Sequence, residues 1–247
     1  MYFFFSGEGP TDLGTSNDQP GPLALIADQI ITEHHHYSFL ESGYAVFVHP
    51  AELGRIKGLP DFKPLSRKSI RLPSPNVKPE TRFHYDDARA FSRAAKDALE
   101  NKNESNAEFV AVLFRDSNSP DEKVWSDKRN SMLRGFHVEN IEKHGVAAVA
   151  RPISEAWWLC AIYHREETDK DRKHFESTNH VIGTETDLKR KLETELGTTP
   201  NRTVLNEMVT NREIDYKLID SESFLAFRRD FETAVGLEHL YYTKATP

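Results

Sequence analysis

Hydrophobic and polar residues alternate along this chain in blocks whose spacing separates strands from helices. Tyr2–Ser6 is a short apolar run that stops at Gly7-Glu8-Gly9-Pro10, which predicts a strand ending in a turn. After polar residues 11–20, Leu23, Leu25, Ile26, Ile30 and Ile31 suit a helix running toward Phe39. Tyr44–His49 predicts a second strand. Ala88, Phe91, Ala94, Ala95, Ala98 and Leu99 then recur at helical spacing, with Asp86 and Asp87 where the first turn favours negative charge. Phe109–Phe114 predicts a buried strand ending at Arg115-Asp116-Ser117-Asn118. A mixed helix covers 121–143, and Val146–Ala150 is the fourth strand. Arg151-Pro152 breaks that strand, and Ser154 is placed to cap a helix carrying Ala156, Trp157, Leu159, Cys160 and Ile162.

The rest reads as helical. Leu188, Leu192 and Leu196 form one stripe closed by Gly197, and Phe224, Phe227, Phe231 and Val235 form another that stops at Gly236. Thr199-Pro200 predicts a cap followed by proline at the first helical position. The order implies an α/β fold: a mainly parallel central sheet with helices on both faces, plus an α-helical C-terminal extension. The α/β domain takes residues 1–165 and carries an insertion at about 50–84. Residues 166–247 form a helical region packed on it.

Charge sharpens the picture at that insertion. Eight basic residues lie between Arg55 and Arg82, Lys57, Lys63, Arg67, Lys68 and Arg71 among them, against Asp61 and Glu80. That net +6 leaves −13 on the rest of a chain whose formal total is −7. Five prolines make the segment read as an extended loop or short edge strands, suited to phosphate contacts or simply solvated. A single cysteine, Cys160, excludes an intramolecular disulfide and any multi-cysteine metal site. No apolar run approaches the ~18 residues of a membrane helix, and the start lacks a signal-peptide pattern. The expectation is a cytoplasmic protein.

In open α/β sheets ligands bind beyond the carboxyl ends of the strands. Glu8 and Asp12 follow the first strand, Asp116, Asn118 and Asp121 the third, and Ser154 and Glu155 the fourth. Carboxylates converging on one sheet edge repel unless a cation stabilises them, and an oxygen-only donor set suits Mg²⁺ or Mn²⁺. Gly7-Glu8-Gly9 is not a dinucleotide fingerprint, because the third glycine falls on Asp12. No P-loop lysine follows either.

Phe5-Ser6-Gly7-Glu8-Gly9-Pro10-Thr11-Asp12 resembles the Glu-Gly-x-Thr-Glu/Asp opening of OLD-like members of the TOPRIM family. Arg115-Asp116-Ser117-Asn118 stands where that family has Asp-x-Asp. Residues 150–159 resemble the Pro-x-x-Glu-x-Trp segment of small stand-alone bacterial TOPRIM-like proteins. The resemblance implies metal-dependent phosphodiester chemistry on DNA or RNA, with Glu8 and Asp116 catalytic and Glu8, Asp12, Asp116, Asn118 and Glu155 around Mg²⁺ or Mn²⁺. It also implies an ATPase partner protein in antiphage or mobile-element defence. Asn118 departs from the pattern by one negative charge, with Asp121 as a substitute if the loop folds back. The alternative is a catalytically weakened scaffold that binds a protein or nucleic acid without cutting it.

Each candidate also has a plainer role. Glu8 suits an exposed turn, Asp116 a helix cap and Glu155 a helix dipole. Trp157 and Trp158 suit a core, and Cys160 a buried thiol. His34-His35-His36 point about 100° apart on a helix and cannot share one ion.

Overall fold

The computed structural model describes residues 1–63, 82–165 and 185–237. The phosphate contacts expected of Arg67, Lys68 and Arg71 lie outside the described residues. The chain opens with β1 (Tyr2–Ser6), a one-turn α1 (Pro10–Leu13), a small hairpin of β2 (Gly14–Ser16) and β3 (Gln19–Pro20), and α2 (Pro22–His35). Next come β4 (Ala45–Phe47), α3 (Pro50–Lys57) and α4 (Tyr85–Asn101), then β5 (Phe109–Asp116), α5 (Glu122–Val138), β6 (Gly145–Ala150) and α6 (Glu155–Arg165). The C-terminal third supplies α7 (Glu185–Leu196), α8 (Arg202–Thr210), a 3₁₀ turn at Tyr216–Leu218 and α9 (Glu222–Ala234).

The fold is α/β. β4, β1, β5 and β6, in that spatial order, make a four-stranded parallel sheet. Phe4 stands opposite Val46 on one side and Ala111 on the other, and Asp116 stands opposite Ala150. After β1 the chain builds β4 on one flank, then crosses to β5 on the other. The topological switch therefore falls between the carboxyl ends of β1 and β5.

Alternation along the strands divides the apolar side chains between two cores. Phe3, Phe5, Val112, Phe114 and Val146 enter one, under α2, α6 and the C-terminal helices. Phe4, Ala111, Leu113 and Val149 enter the other, under α3, α4 and α5. Strands covered on both faces read as unbroken apolar runs, which is why β1, β5 and β6 are visible in sequence. Trp157 centres the first core: it stacks on Phe227 at 6.0 Å, meets Phe114 and Phe224 edge-on, and donates through Nε1 to Ser223 Oγ at 2.7 Å. Among the described residues no helix is long and apolar enough to cross a membrane.

Three expectations need correction. The start of the basic insertion is helical: Pro50 takes the first turn of α3, His49 Nδ1 accepts from Ala51 N at 3.1 Å, and Leu53 and Ile56 bury one face. α8 is capped by Asn201, whose side chain accepts from Val204 N at 3.1 Å, while the Thr199 hydroxyl reaches Glu193 instead. α5 ends at Val138, short of the predicted 143. The two C-terminal stripes stop where expected, at Gly197 and Gly236, both with positive φ.

Candidate active site

Each acidic residue at the carboxyl edge is held by a local device. Asp12 sits in α1, clasped from below by the hairpin. Gly21 N donates to Leu13 O at 2.8 Å, and a Cβ on Gly21 would lie 2.4 Å from the carbonyl of Asp12. Only glycine permits that approach. Gly14 turns the chain at φ +90°, a conformation other residues rarely adopt.

Asp116 is the last residue of β5, and the loop beyond it is zipped to the loop after β6. Ser117 N donates to Ala150 O and Asn118 N to Pro152 O, each at 2.9 Å. Ser154, just before α6, then joins the two acids. Its backbone N–H donates to Asp116 Oδ1 at 3.0 Å and its hydroxyl to Asp12 Oδ1 at 2.8 Å. The hydroxyl expected to cap α6 is therefore committed to a carboxylate from the other end of the chain. Glu155 follows at once, with an oxygen 3.5 Å from the same hydroxyl. Glu8 is exposed on the turn after β1.

These four acids share one electrostatic neighbourhood. Burial, reinforced by the charges of Asp12, Glu155 and Glu8, pushes the Asp116 carboxyl up to about 8 against the bond from Ser154 N. Burial likewise raises Asp12 to about 6; the Ser154 hydroxyl and Lys189 oppose that rise, while Glu155 and Glu8 add to it. Lys189, exposed on α7, is the contribution that strand-end reasoning missed. The Leu188/Leu192/Leu196 stripe fixed the buried face of α7, but which neighbour its next residue meets is set by tertiary packing.

Asn118 follows Asp116 by two residues. It is exposed and left-handed at φ 49°, a conformation asparagine tolerates better than most residues. Asp121 is occupied elsewhere, capping α5 by accepting from Val124 N at 3.0 Å, so it does not fold back as a substitute. Among the described residues, no group of three or more His, Cys, Asp or Glu side chains is arranged to hold a metal ion. The donor chemistry, all carboxylate oxygen, still matches a hard divalent cation.

The expected basic surface is only partly described. Lys57 is half-buried and paired with Asp87 at 2.5 Å. Lys63 is exposed, and its carbonyl accepts from Arg89 Nη1 at 2.9 Å. Cys160 is buried against Asp220, and burial pushes its thiol up to about 12, so it is no nucleophile. No family model, curated protein or solved structure matches the chain. The TOPRIM resemblance rests on the motif residues themselves.

Proposed function

We propose that this chain is a TOPRIM-like, Mg²⁺- or Mn²⁺-dependent phosphodiesterase acting on nucleic acid. One observation carries the reading. Glu8, Asp12, Asp116 and Glu155 leave three different strand ends, yet their charges converge on the buried carboxyls of Asp116 and Asp12 and raise the affinity of those two for protons. Uncompensated buried carboxylates are costly, and such clusters concentrate at functional sites. A divalent cation bound there would activate water and neutralise charge on the phosphate.

The protein's own groups have distinct parts in this reading. Asp12, Asp116 and Glu155 are the oxygen donors. Ser154 fixes the orientation of the first two. Glu8, the exposed acid, holds or moves a proton at the attacking water or the leaving oxygen. Lys189 offers a positive charge beside Asp12 for a phosphate. A cytoplasmic setting and an ATPase partner belong to the same proposal and rest on the resemblance.

The second reading, a scaffold that binds without cutting, draws on two observations: position 118 carries an amide where the resembled motif has a carboxylate, and no three His, Cys, Asp or Glu side chains among the described residues are arranged around a metal. Mn²⁺ titration calorimetry separates the two. Saturable binding, lost in both Glu8→Gln and Asp116→Asn with the fold intact, is the expected result, followed by metal-dependent cleavage of DNA or RNA. Absence of binding in the folded wild type favours the scaffold.

A further inference from the structure

A cavity of about 220 Å³ opens beside the acid cluster, at the carboxyl ends of β1 and β4. Its walls are mostly apolar. Phe5 and Phe47 line it and stack on each other, centroids 5.5 Å apart and planes 23° apart, and Leu13 and Val48 extend the surface. Polar groups come from the exposed residues Glu8, Thr15 and His49 and from Ser6, whose buried hydroxyl has no hydrogen-bond partner. His49 Nδ1 is engaged as an acceptor from Ala51 N, which leaves Nε2 as a donor. Among the described residues no lysine or arginine lines the cavity.

We propose that this cavity is a nucleobase pocket, receiving the base next to the phosphate that lies over the carboxylates. The inference rests on the nucleic-acid reading above and adds a base-binding site to it.

Three features select that occupant. The volume is below the roughly 300–1,000 Å³ of pockets for drug-sized ligands, so it suits one ring system and not a dinucleotide. The aromatic and aliphatic walls favour a planar, uncharged group, since bases stack on aromatic side chains whatever their sequence. An anionic group entering the cavity would meet the carboxylate of Glu8 and, among the described residues, no lining cation. Glu8 is common to the cavity wall and the acid cluster, so a nucleotide can place its base inside while its phosphate stays outside, toward Asp12 and Asp116.

The test uses 2-aminopurine riboside, whose emission responds to stacking, titrated into the full chain without divalent cations. Two variants block the cavity from different walls. Thr15→Trp fills it from the exposed hairpin. Gly9→Leu projects from a position where a Cβ meets nothing within 4 Å. Far-ultraviolet circular dichroism checks that both fold. The expected result is a saturable change in wild type, weakened about tenfold or more in both variants and retained in Asp116→Asn. Absence of a saturable change, or wild-type affinity in both blocked variants, overturns the pocket. So does stronger competition by N-acetyl-leucinamide than by unlabelled nucleoside, which would mark a seat for a partner's side chain. Mn²⁺ binding and cleavage are separate readouts, so this pocket can fail while the phosphodiesterase reading stands, and the reverse.

Discussion

Arg115 and Asp116 are adjacent on β5, and the sheet sends them to opposite faces with opposite electrostatic outcomes. On the α4 face, Arg115 Nη2 meets Asp87 at 3.2 Å, and Lys57 and His84 approach the same carboxylate. Burial alone would raise Asp87, but the His84 contact and the charges of Arg115 and Lys57 outweigh it and hold the carboxyl well below its ordinary range. On the α2 and α6 face, the charges of Asp12, Glu155 and Glu8 all add to the cost of burying Asp116. One carboxylate is compensated by cationic neighbours, whereas the charges that act most strongly on the other, among the described residues, are acids. That contrast separates a structural ion network from a candidate site, although both acids are largely buried and lie beside the end of β5.

The largest effect is expected on the compensated side. Asp87→Ala strands Arg115 and Lys57 near the core, and breaking such a network costs about 3–5 kcal/mol. Urea unfolding would show this as a lower midpoint, and a loss under 1 kcal/mol would mean the network contributes little.

Next comes the uncompensated side, where the sign reverses. A carboxyl raised from 3.8 to about 8 on folding makes the native state hold a proton that the unfolded chain releases. Its penalty to stability is absent below pH 4 and grows as the pH rises toward 8. Asp116→Asn removes that penalty. In the absence of divalent cations the variant should melt at a higher temperature than wild type at pH 8, with the gain vanishing near pH 4. A loss of melting temperature at pH 8 would contradict the acid clustering.

Smaller effects probe the connections. Ser154→Ala deletes the hydroxyl that lowers Asp12, so the Asp12 carboxyl should titrate above about 6 by carboxyl-detected NMR. Global stability should fall by only about 1 kcal/mol. Least of all, Asn118→Asp should leave stability within about 0.5 kcal/mol, because the side chain is exposed. A gain in Mn²⁺ affinity for that variant would bring position 118 into the site.

The sequence disclosed whatever local chemistry decides. β1, β5 and β6 were legible because burial on both faces leaves continuous apolar runs, and their last residues pointed to Glu8, Asp116 and Glu155. The helix over Pro50–Lys57 was obscured by the prolines and charges around it, although Leu53 and Ile56 stand three residues apart on its buried face. Ser154 and Lys189 carried no local mark of their role. A serine before a helix advertises a cap, and only the packing of α1 against the loop after β6 sends its hydroxyl to Asp12. The sequence marked Asn118 by its place in a motif, but not its left-handed backbone or the bond from its N–H to Pro152.

The ring pair between Phe3 and Phe231, 6.2 Å apart, joins the first strand to the last helix. Seen from the ribosome, that contact sets an order of events. The face of the sheet that carries Phe3 is covered in part by α2 and Phe39, but its cover and that of Trp157 stay incomplete until α9 has been made, so a nascent chain must keep part of this core shielded through nearly all of its synthesis. A product cut short before Phe224 would present that part to solvent, an invitation to chaperones and proteases.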